Sequence, residues 1–394
     1  MTRFLFVSLP LTGHVNPMAA VAHALTGRGH DVLWAGSESF LRPLVGDDAQ
    51  IHGIPLRAHR GIAERGLDAT RSRWDGYILP HAKSTRKGIE AAAEAFVPDL
   101  VVVDQHAIAG AIVATARGLR WASVAPTTME LTRPFRRSLP GVEAWIQGRM
   151  AAAWTAAGRP GEPPHDLRFS PYGVIAFSAG ALAGDPSDRP GNAVLVGPAL
   201  AARAPDPDFP LDWFDPGRRH VLVTVGTLGL DLAKDFYQRM LAALEPLGDR
   251  LQAVVVAAEG TITEAPAHVL VRRRVPVLDL LPHLDAVVSH GGLNTVSEAL
   301  VHGVPLLVAP IKGDQALNAA AVATAGAGLR VSFDHTPPER LRAALLDLLA
   351  TPSYADAARE LGAELTAGGG AEAAAGHLER LAHPLLDKDD CETP

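Results

Sequence analysis

Short, nearly uninterrupted apolar runs punctuate this chain, each followed by a turn and a longer alanine-rich or amphipathic stretch. Residues 3–9 form the first run and read as a strand buried on both faces rather than a signal peptide, because Pro10 and Gly13 close it early. A helix is expected over 16–27, with Asn16 as its N-cap and Pro17 in the first turn, where a missing N–H is tolerated. Further strands are expected at 31–35, 100–103 and 121–125, with a helix over 107–118. Strands of this kind alternating with helices predict a parallel sheet covered on both sides. Residues 57–96 and 127–170 break the pattern and read as long loops and helices inserted over the sheet edge.

A proline-dense stretch from Gly197 to Gly217 then interrupts the chain, and the alternation restarts. Strands are expected at 220–225, 253–257, 286–289 and 305–309. Helices are expected at 233–244, 293–302 and 314–325, then at 338–350, 353–366 and 371–384. The division is therefore an N-terminal domain over 1–200, a linker over 201–217, and a second α/β domain over 218–370. A C-terminal helix and tail over 371–394 are a candidate to pack back on the first domain. The default ligand site of such a pair is the cleft between its halves.

The 394 residues, 47% hydrophobic and 20% charged, can bury two cores. A net charge of −7 argues against nucleic acid as partner, since phosphate backbones want a basic face. The lone cysteine, Cys391, excludes an internal disulfide framework and a cysteine-based zinc site. No apolar stretch approaches the ~20 residues of a bilayer-spanning helix. A cytoplasmic chain, monomeric or weakly dimeric, is expected.

In open parallel sheets ligands gather beyond the carboxyl ends of strands. Here those ends carry Thr12-Gly13-His14-Val15-Asn16-Pro17, Asp104, Gly226-Thr227, His290-Gly291-Gly292 with the helix after it, and Asp314-Gln315. His290-Gly291-Gly292 runs straight into a helix, where backbone N–H groups and the helix dipole favour an anion. Asn294 and Glu298, four apart, share one helix face, and a carboxylate there suits two vicinal hydroxyls. Read alone, the same glycines are equally a tight turn; the whole run beside Asp314-Gln315 favours a ligand site.

Residues 275–331 resemble the nucleotide-sugar signature of the family-1, GT-B-fold glycosyltransferases. Ser289 to Leu300, Gly303-Val304-Pro305, Asp314 to Ala319 and Ala325 to Gly328 carry the resemblance, and Gly13-His14-Val15-Asn16-Pro17 matches near the start. The two-domain layout is similar throughout, closest to bacterial enzymes that glycosylate macrolides, polyketides and carotenoids. The resemblance implies a GT-B architecture of two Rossmann-like parallel-sheet domains facing each other across a cleft. It implies His14 as the base that deprotonates an acceptor hydroxyl and Asp104 as the group that orients it. It further implies His290, Asn294 and Thr295 on the diphosphate with Gly292 beside them, Glu298 on the ribose, Asp314 and Gln315 on the sugar, and Gly226 and Thr227 nearby. The family often has an aromatic residue over the base and a Pro-Gln pair after it. This chain has Arg272-Arg273-Arg274-Val275-Pro276-Val277, leaving the backbone of Val275 and an arginine to recognise the base.

Sugar transfer needs a base for the attacking hydroxyl, neutralisation of the departing diphosphate, and tight positioning of an oxocarbenium-like ring. The sequence supplies a histidine–aspartate pair and a glycine-led helix, and its one Asp-x-Asp outside the acidic tail, Asp206 to Asp208, lies in the linker rather than after a strand. A metal-independent, single-displacement, inverting transfer with no cofactor is the expectation. Its donor is a nucleotide sugar, with Glu298 favouring UDP, and its acceptor a hydrophobic small molecule. Trp74, Tyr77, Met129, Phe135 and Trp145 are candidates for the acceptor wall, although each is by type more often a core residue. Arg133, Arg136, Arg137 and Arg149 read as a solvated helix face before a membrane-interfacial one. Two other readings stay open: a UDP-sugar epimerase of the same fold, and a non-catalytic nucleotide-sugar-binding helper.

Overall fold

A computed structural model describes residues 1–56, 66–200, 209–226 and 233–383. Two compact units emerge: the first holds 1–56, 67–200 and 367–383, the second 209–226 and 233–366. The first unit runs β1 (Arg3–Val7), α1 (Thr12–Gly27), β2 (Asp31–Gly36), α2 (Glu38–Val45), β3 (Gln50–Gly53), α3 (Gly66–Arg73), a π-helical turn (Trp74–Ile78), α4 (Leu79–Phe96), β4 (Leu100–Asp104), α5 (Ile108–Ala116), β5 (Trp121–Ala125), α6 (Thr128–Leu131), α7 (Phe135–Ser138), α8 (Pro140–Ala156), β6 (Val174–Ala176) and β7 (Ala193–Leu195). Its parallel sheet has the order β3-β2-β1-β4-β5-β6-β7. Alternate residues of β1 and β4 feed opposite cores. Leu5, Val7, Val101 and Val103 join α4, α5 and α8 on one face; Phe4, Phe6, Leu100 and Val102 join α1 on the other.

Two expectations change here. Residues 66–96 do not lie over the sheet edge: they are the crossover from β3 to β4, and Ile89, Ala92 and Ala93 of α4 pack on the sheet face. The same core takes Ile146, Met150 and Trp154 of α8, the latter part of the other expected insertion. Residues 57–65 lie outside the described residues. Helix α1 starts at Thr12 rather than Asn16, because the Leu11 carbonyl already accepts the N–H groups of His14 (2.9 Å) and Val15 (3.0 Å). Pro17 therefore sits inside the helix, and His14 falls in its first turn.

The second unit runs β8 (Arg219–Thr224), α9 (Lys234–Leu244), β9 (Leu251–Val256), β10 (Val269–Arg272), α10 (Val277–Leu280), β11 (Ala286–Ser289), α11 (Leu293–Val301), β12 (Leu306–Val308), α12 (Gln315–Thr324), β13 (Gly328–Arg330), α13 (Pro338–Ala350) and α14 (Pro352–Ala367). Its parallel sheet has the order β10-β9-β8-β11-β12-β13. Helix α15 (Gly370–Ala382) returns to the first unit, where Ala374, Ala375 and Leu378 share the core under α1. Glu379 pairs there with Arg28 and His30, both at 2.8 Å. Strands β3, β6, β7, β10 and β13 have three or four residues each and escape a periodicity reading. No helix among the described residues is long and apolar enough to cross a membrane.

Candidate active site

Strands β1 and β4 are paired in register, Val7 against Val103, so the residues just beyond them meet at the same sheet end. There Asp104, fully buried, accepts hydrogen bonds from both sides. Its Oδ2 takes the Leu9 N–H (3.1 Å), the Ser8 hydroxyl (3.3 Å) and His14 Nδ1 (2.8 Å), and its Oδ1 takes the His106 N–H (3.0 Å). Burial alone would push this carboxyl up. The charge of His14 and its hydrogen bond, and then His106, outweigh it and hold Asp104 well below the usual carboxylate range. An ionised carboxylate can only accept, so Nδ1 of His14 carries the hydrogen and the lone pair of neutral His14 sits on Nε2. That is the tautomer a general base needs.

A second histidine stands beside the first. The ring of His106 lies 5.5 Å from that of His14, and its Nε2 is 3.2 Å from Oε1 of Glu130 on α6. Glu130 in turn meets buried Arg168 at 2.6 Å, and Arg168 also binds Asp166 (2.8 Å) and Glu143. None of His106, Glu130 or Arg168 stands out by sequence pattern. His106 is marked only as the second residue after Asp104; Glu130 and Arg168 leave no local signal. One ligand atom from each of His14, Asp104 and His106 falls within 4.8 Å of the others, so the three side chains converge on one point of the site. The hydrogen bonds above already engage His14 Nδ1, Asp104 Oδ2 and His106 Nε2.

The acceptor-wall candidates separate. Trp74 is fully buried in the core, as its residue type favours; Tyr77, on the π-helical turn, is also buried in that cluster. Burial, reinforced by the Asp104 charge, pushes the Tyr77 hydroxyl up. The ring of His81 on α4 lies 6.2 Å from it. Burial drives His81 down to about 4 against the pull of Asp104, and its buried Nδ1 has no hydrogen-bond partner among the described residues. Met129 is buried, while Phe135 and Trp145 are half-buried against the core. Of the candidate basic face, Arg149 stacks 4.9 Å from the Trp145 ring and pairs with Asp75 at 3.1 Å, and Arg133 stacks 4.3 Å from Phe169. Arg136 and Arg137 are partly or fully exposed, with Arg137 paired to Asp188 at 3.2 Å.

In the second unit the glycine-led turn is built around one ring. A Cβ on Gly226 would stand 2.6 Å from Cε1 of His290, and one on Gly292 would stand 2.8 Å from its Nε2. Gly226 and Gly291 also adopt positive φ, +65° and +89°. The imidazole of His290 is thus held between two strips of backbone. Burial, then the charge of Lys312, push it down to about 4, so it is neutral at physiological pH, and its buried Nδ1 has no hydrogen-bond partner among the described residues. Helix α11 begins at Leu293 with Gly292 as its N-cap and no side-chain cap among the described residues, and the dipole of such an end favours an anion. Asn294 and Thr295 lie in its first turn and Glu298, buried, one turn on. Asn318, fully buried, donates to the Gly291 carbonyl (2.9 Å) and to Asp314 (3.2 Å), tying the two loops together; the sequence motif contains it without revealing this role. The side-chain oxygen of Gln315 accepts from the N–H groups of Ile311 and Lys312, both at 2.9 Å, so it shapes the loop before α12. Val275 is partly exposed between β10 and α10, and Thr227 lies outside the described residues.

Residues 242–381 match the family model described as erythromycin biosynthesis protein CIII-like, C-terminal domain. The chain is similar to 4'-demethylrebeccamycin synthase of Lentzea aerocolonigenes, 28% identical across 89% of this chain and 93% of that protein. It is equally similar to the elloramycin glycosyltransferase ElmGT of Streptomyces olivaceus, 28% identical over 92% and 93%. Among solved structures, the glycotransferase of kitacinnamycin superposes with a TM-score of 0.84 at 28% identity, covering 97% of this chain and 99% of that one. The two parallel-sheet units are those of the GT-B fold.

Proposed function

Because the chain belongs to the family-1, GT-B-fold glycosyltransferases of natural-product pathways, we propose that it moves a hexose from a UDP-sugar to a hydroxyl of a hydrophobic small molecule, with His14 as general base. The observation that carries this reading is the 2.8 Å contact between His14 Nδ1 and the buried, ionised Asp104. Nε2 of His14 takes the acceptor proton, the acceptor oxygen forms its bond to the anomeric carbon, and the bond to the diphosphate oxygen breaks with its electron pair. Asp104 stabilises the imidazolium that results. No protein nucleophile takes part, so the anomeric centre inverts.

Neutral His290 and the uncapped start of α11, with Asn294, Thr295 and Gly292, take the charge of the departing diphosphate without a metal or cofactor. Glu298 accepts from both ribose hydroxyls, which favours UDP over dTDP; Asp314 and Gln315 meet the sugar, and Val275 the base. Tyr77, Met129, Phe135 and Trp145 contribute to the acceptor wall. On this reading the enzyme is cytoplasmic and a monomer or weak homodimer. Incubation with UDP-glucose and a panel of phenols and hydrophobic alcohols should release UDP only when an acceptor is present, with about a 10²–10⁴-fold loss in His14→Ala. Sugar conversion without acceptor would mean an epimerase, binding without turnover a helper, and turnover of dTDP-sugars in preference to UDP-sugars would overturn the role given to Glu298.

A further inference from the structure

We propose that Glu130 is a positioning residue for the transfer, acting through His106 on His14. The inference rests on His14 being the base. Among the described residues the buried His14 ring is hydrogen-bonded at Nδ1 alone, so the rest of its orientation is left to packing. The ring of His106 stands beside it, at 5.5 Å between centroids and 39° between planes. The ring of His106 is set in turn from the far side by Glu130, 3.2 Å from its Nε2. Burial would raise the Glu130 carboxyl, but the charge of Arg168 and then the hydrogen bond and charge of His106 hold it well below the ordinary range. Glu130 is therefore an acceptor only, and the proton of His106 is fixed on Nε2.

Arg168 anchors the far end of the relay. It is buried, with Asp166 and Glu143 as its other partners. The relay joins α6, α8 and the 166–168 loop to the back of the catalytic pair. Buried ions of this kind are costly, and a set of apolar side chains of equal volume would join the same elements at lower cost. Their sum matters as well. Among the described residues the ionised groups of this cluster are Asp104, Glu130, Glu143 and Asp166 against Arg168, the half-buried Arg133 and the neighbouring Arg136, before His14 or His106 takes up a proton, while His81 is kept neutral and Tyr77 keeps its proton. This excess of negative charge favours the imidazolium that forms on His14 as the acceptor loses its proton.

The test uses the full-length enzyme with UDP-glucose and the phenol 4-methylumbelliferone, with kcat followed as a function of pH. In Glu130→Gln the expected result is a fall in kcat of about 10–100-fold with both KM values within about threefold. The acid limb of the kcat–pH profile should move to lower pH, because one negative charge has gone. His106→Gln should lose as much, and the double variant no more than either single change. His106→Gln leaves the Glu130–Arg168 pair intact, so it carries the test if Glu130→Gln does not fold. An unshifted kcat–pH profile in Glu130→Gln, or losses that add in the double variant, would overturn the proposal. If His14→Ala keeps its activity, the base assignment fails first. If His14→Ala is inactive and Glu130→Gln behaves like the wild type, only the role of Glu130 falls.

Discussion

Replacing Asp104 by Asn changes one atom at the centre of the first unit, and the surrounding donors dictate the consequences. The carboxylate accepts from Ser8, Leu9 and His14 through Oδ2 and from the His106 N–H through Oδ1. An amide has one oxygen. Whichever way it turns, its NH₂ faces at least one donor that has nowhere else to point. If the oxygen stays with the three donors, the NH₂ opposes the His106 N–H; if it turns, His14 is forced into the tautomer whose Nε2 carries the hydrogen and cannot act as base. Leaving a buried donor unmet costs about 1–3 kcal/mol, and losing the charge behind a developing imidazolium costs more. A comparable change in a Ser-His-Asp triad lowers turnover by about 10⁴. We therefore expect kcat in Asp104→Asn to fall by about 10²–10⁴, with the KM for the nucleotide sugar little changed. Stability should fall by about 2–4 kcal/mol at pH 7. Because the carboxyl is held below its unfolded range, its contribution is present above that range and is lost only as pH falls through its depressed value. The gap to wild type should therefore close only in strong acid. Acceptor-dependent UDP release and urea unfolding at several pH values measure both. A folded Asp104→Asn enzyme with kcat within tenfold of wild type would refute the reasoning.

The second unit gives two further predictions. In Gly226→Ala the new methyl would stand 2.6 Å from Cε1 of His290 at a φ of +65°. We expect a loss of about 1–3 kcal/mol and a rise of about tenfold in the KM for the nucleotide sugar, without change in the acceptor KM; unaltered donor kinetics would count against His290 as a diphosphate ligand. His81 and His290 are both pushed from the ordinary 6.5 down to about 4, so between those values the unfolded chain binds protons that the folded chain does not. Their contribution is present above about pH 6.5 and is lost as pH falls toward 4, by up to about 1.4 kcal/mol per pH unit for each group. Urea midpoints taken from pH 7.5 to 4.5 should show this decline, and His290→Gln or His81→Gln should flatten it; equal slopes in the variants would contradict it.

The range of the forces involved separates the legible features of this chain from the hidden ones. Buried parallel strands such as Leu100–Asp104 announce themselves, since both faces must be apolar whatever packs on them. The start of α1 does not, because Asn16 and Pro17 carry a local preference that the Leu11 carbonyl overrides at closer quarters. The pairing of His14 with Asp104 needs only topology: neighbouring parallel strands bring their carboxyl ends together, so a histidine after one and an aspartate at the end of the other are adjacent by construction. The glycines around His290 are legible as a turn, yet their purpose, admitting the ring between two stretches of backbone, is set by the register of β8 against β11, Thr224 beside Ser289.

Glu130 and Arg168 lie beyond such reasoning. They are 38 residues apart, on segments without a strand period, and nothing in either neighbourhood says that the two charges are buried. A buried charge has meaning only through its partner, and the partner is fixed by tertiary packing of α6, α8 and the 166–168 loop. The strand-end residues answer to the sheet, whereas the relay behind His106 answers to the packing of α6, α8 and the 166–168 loop. A relative that keeps a histidine and aspartate at these strand ends but carries apolar residues at the positions of His106, Glu130 and Arg168 should still transfer sugar. Its base should respond to pH without the surplus negative charge found here.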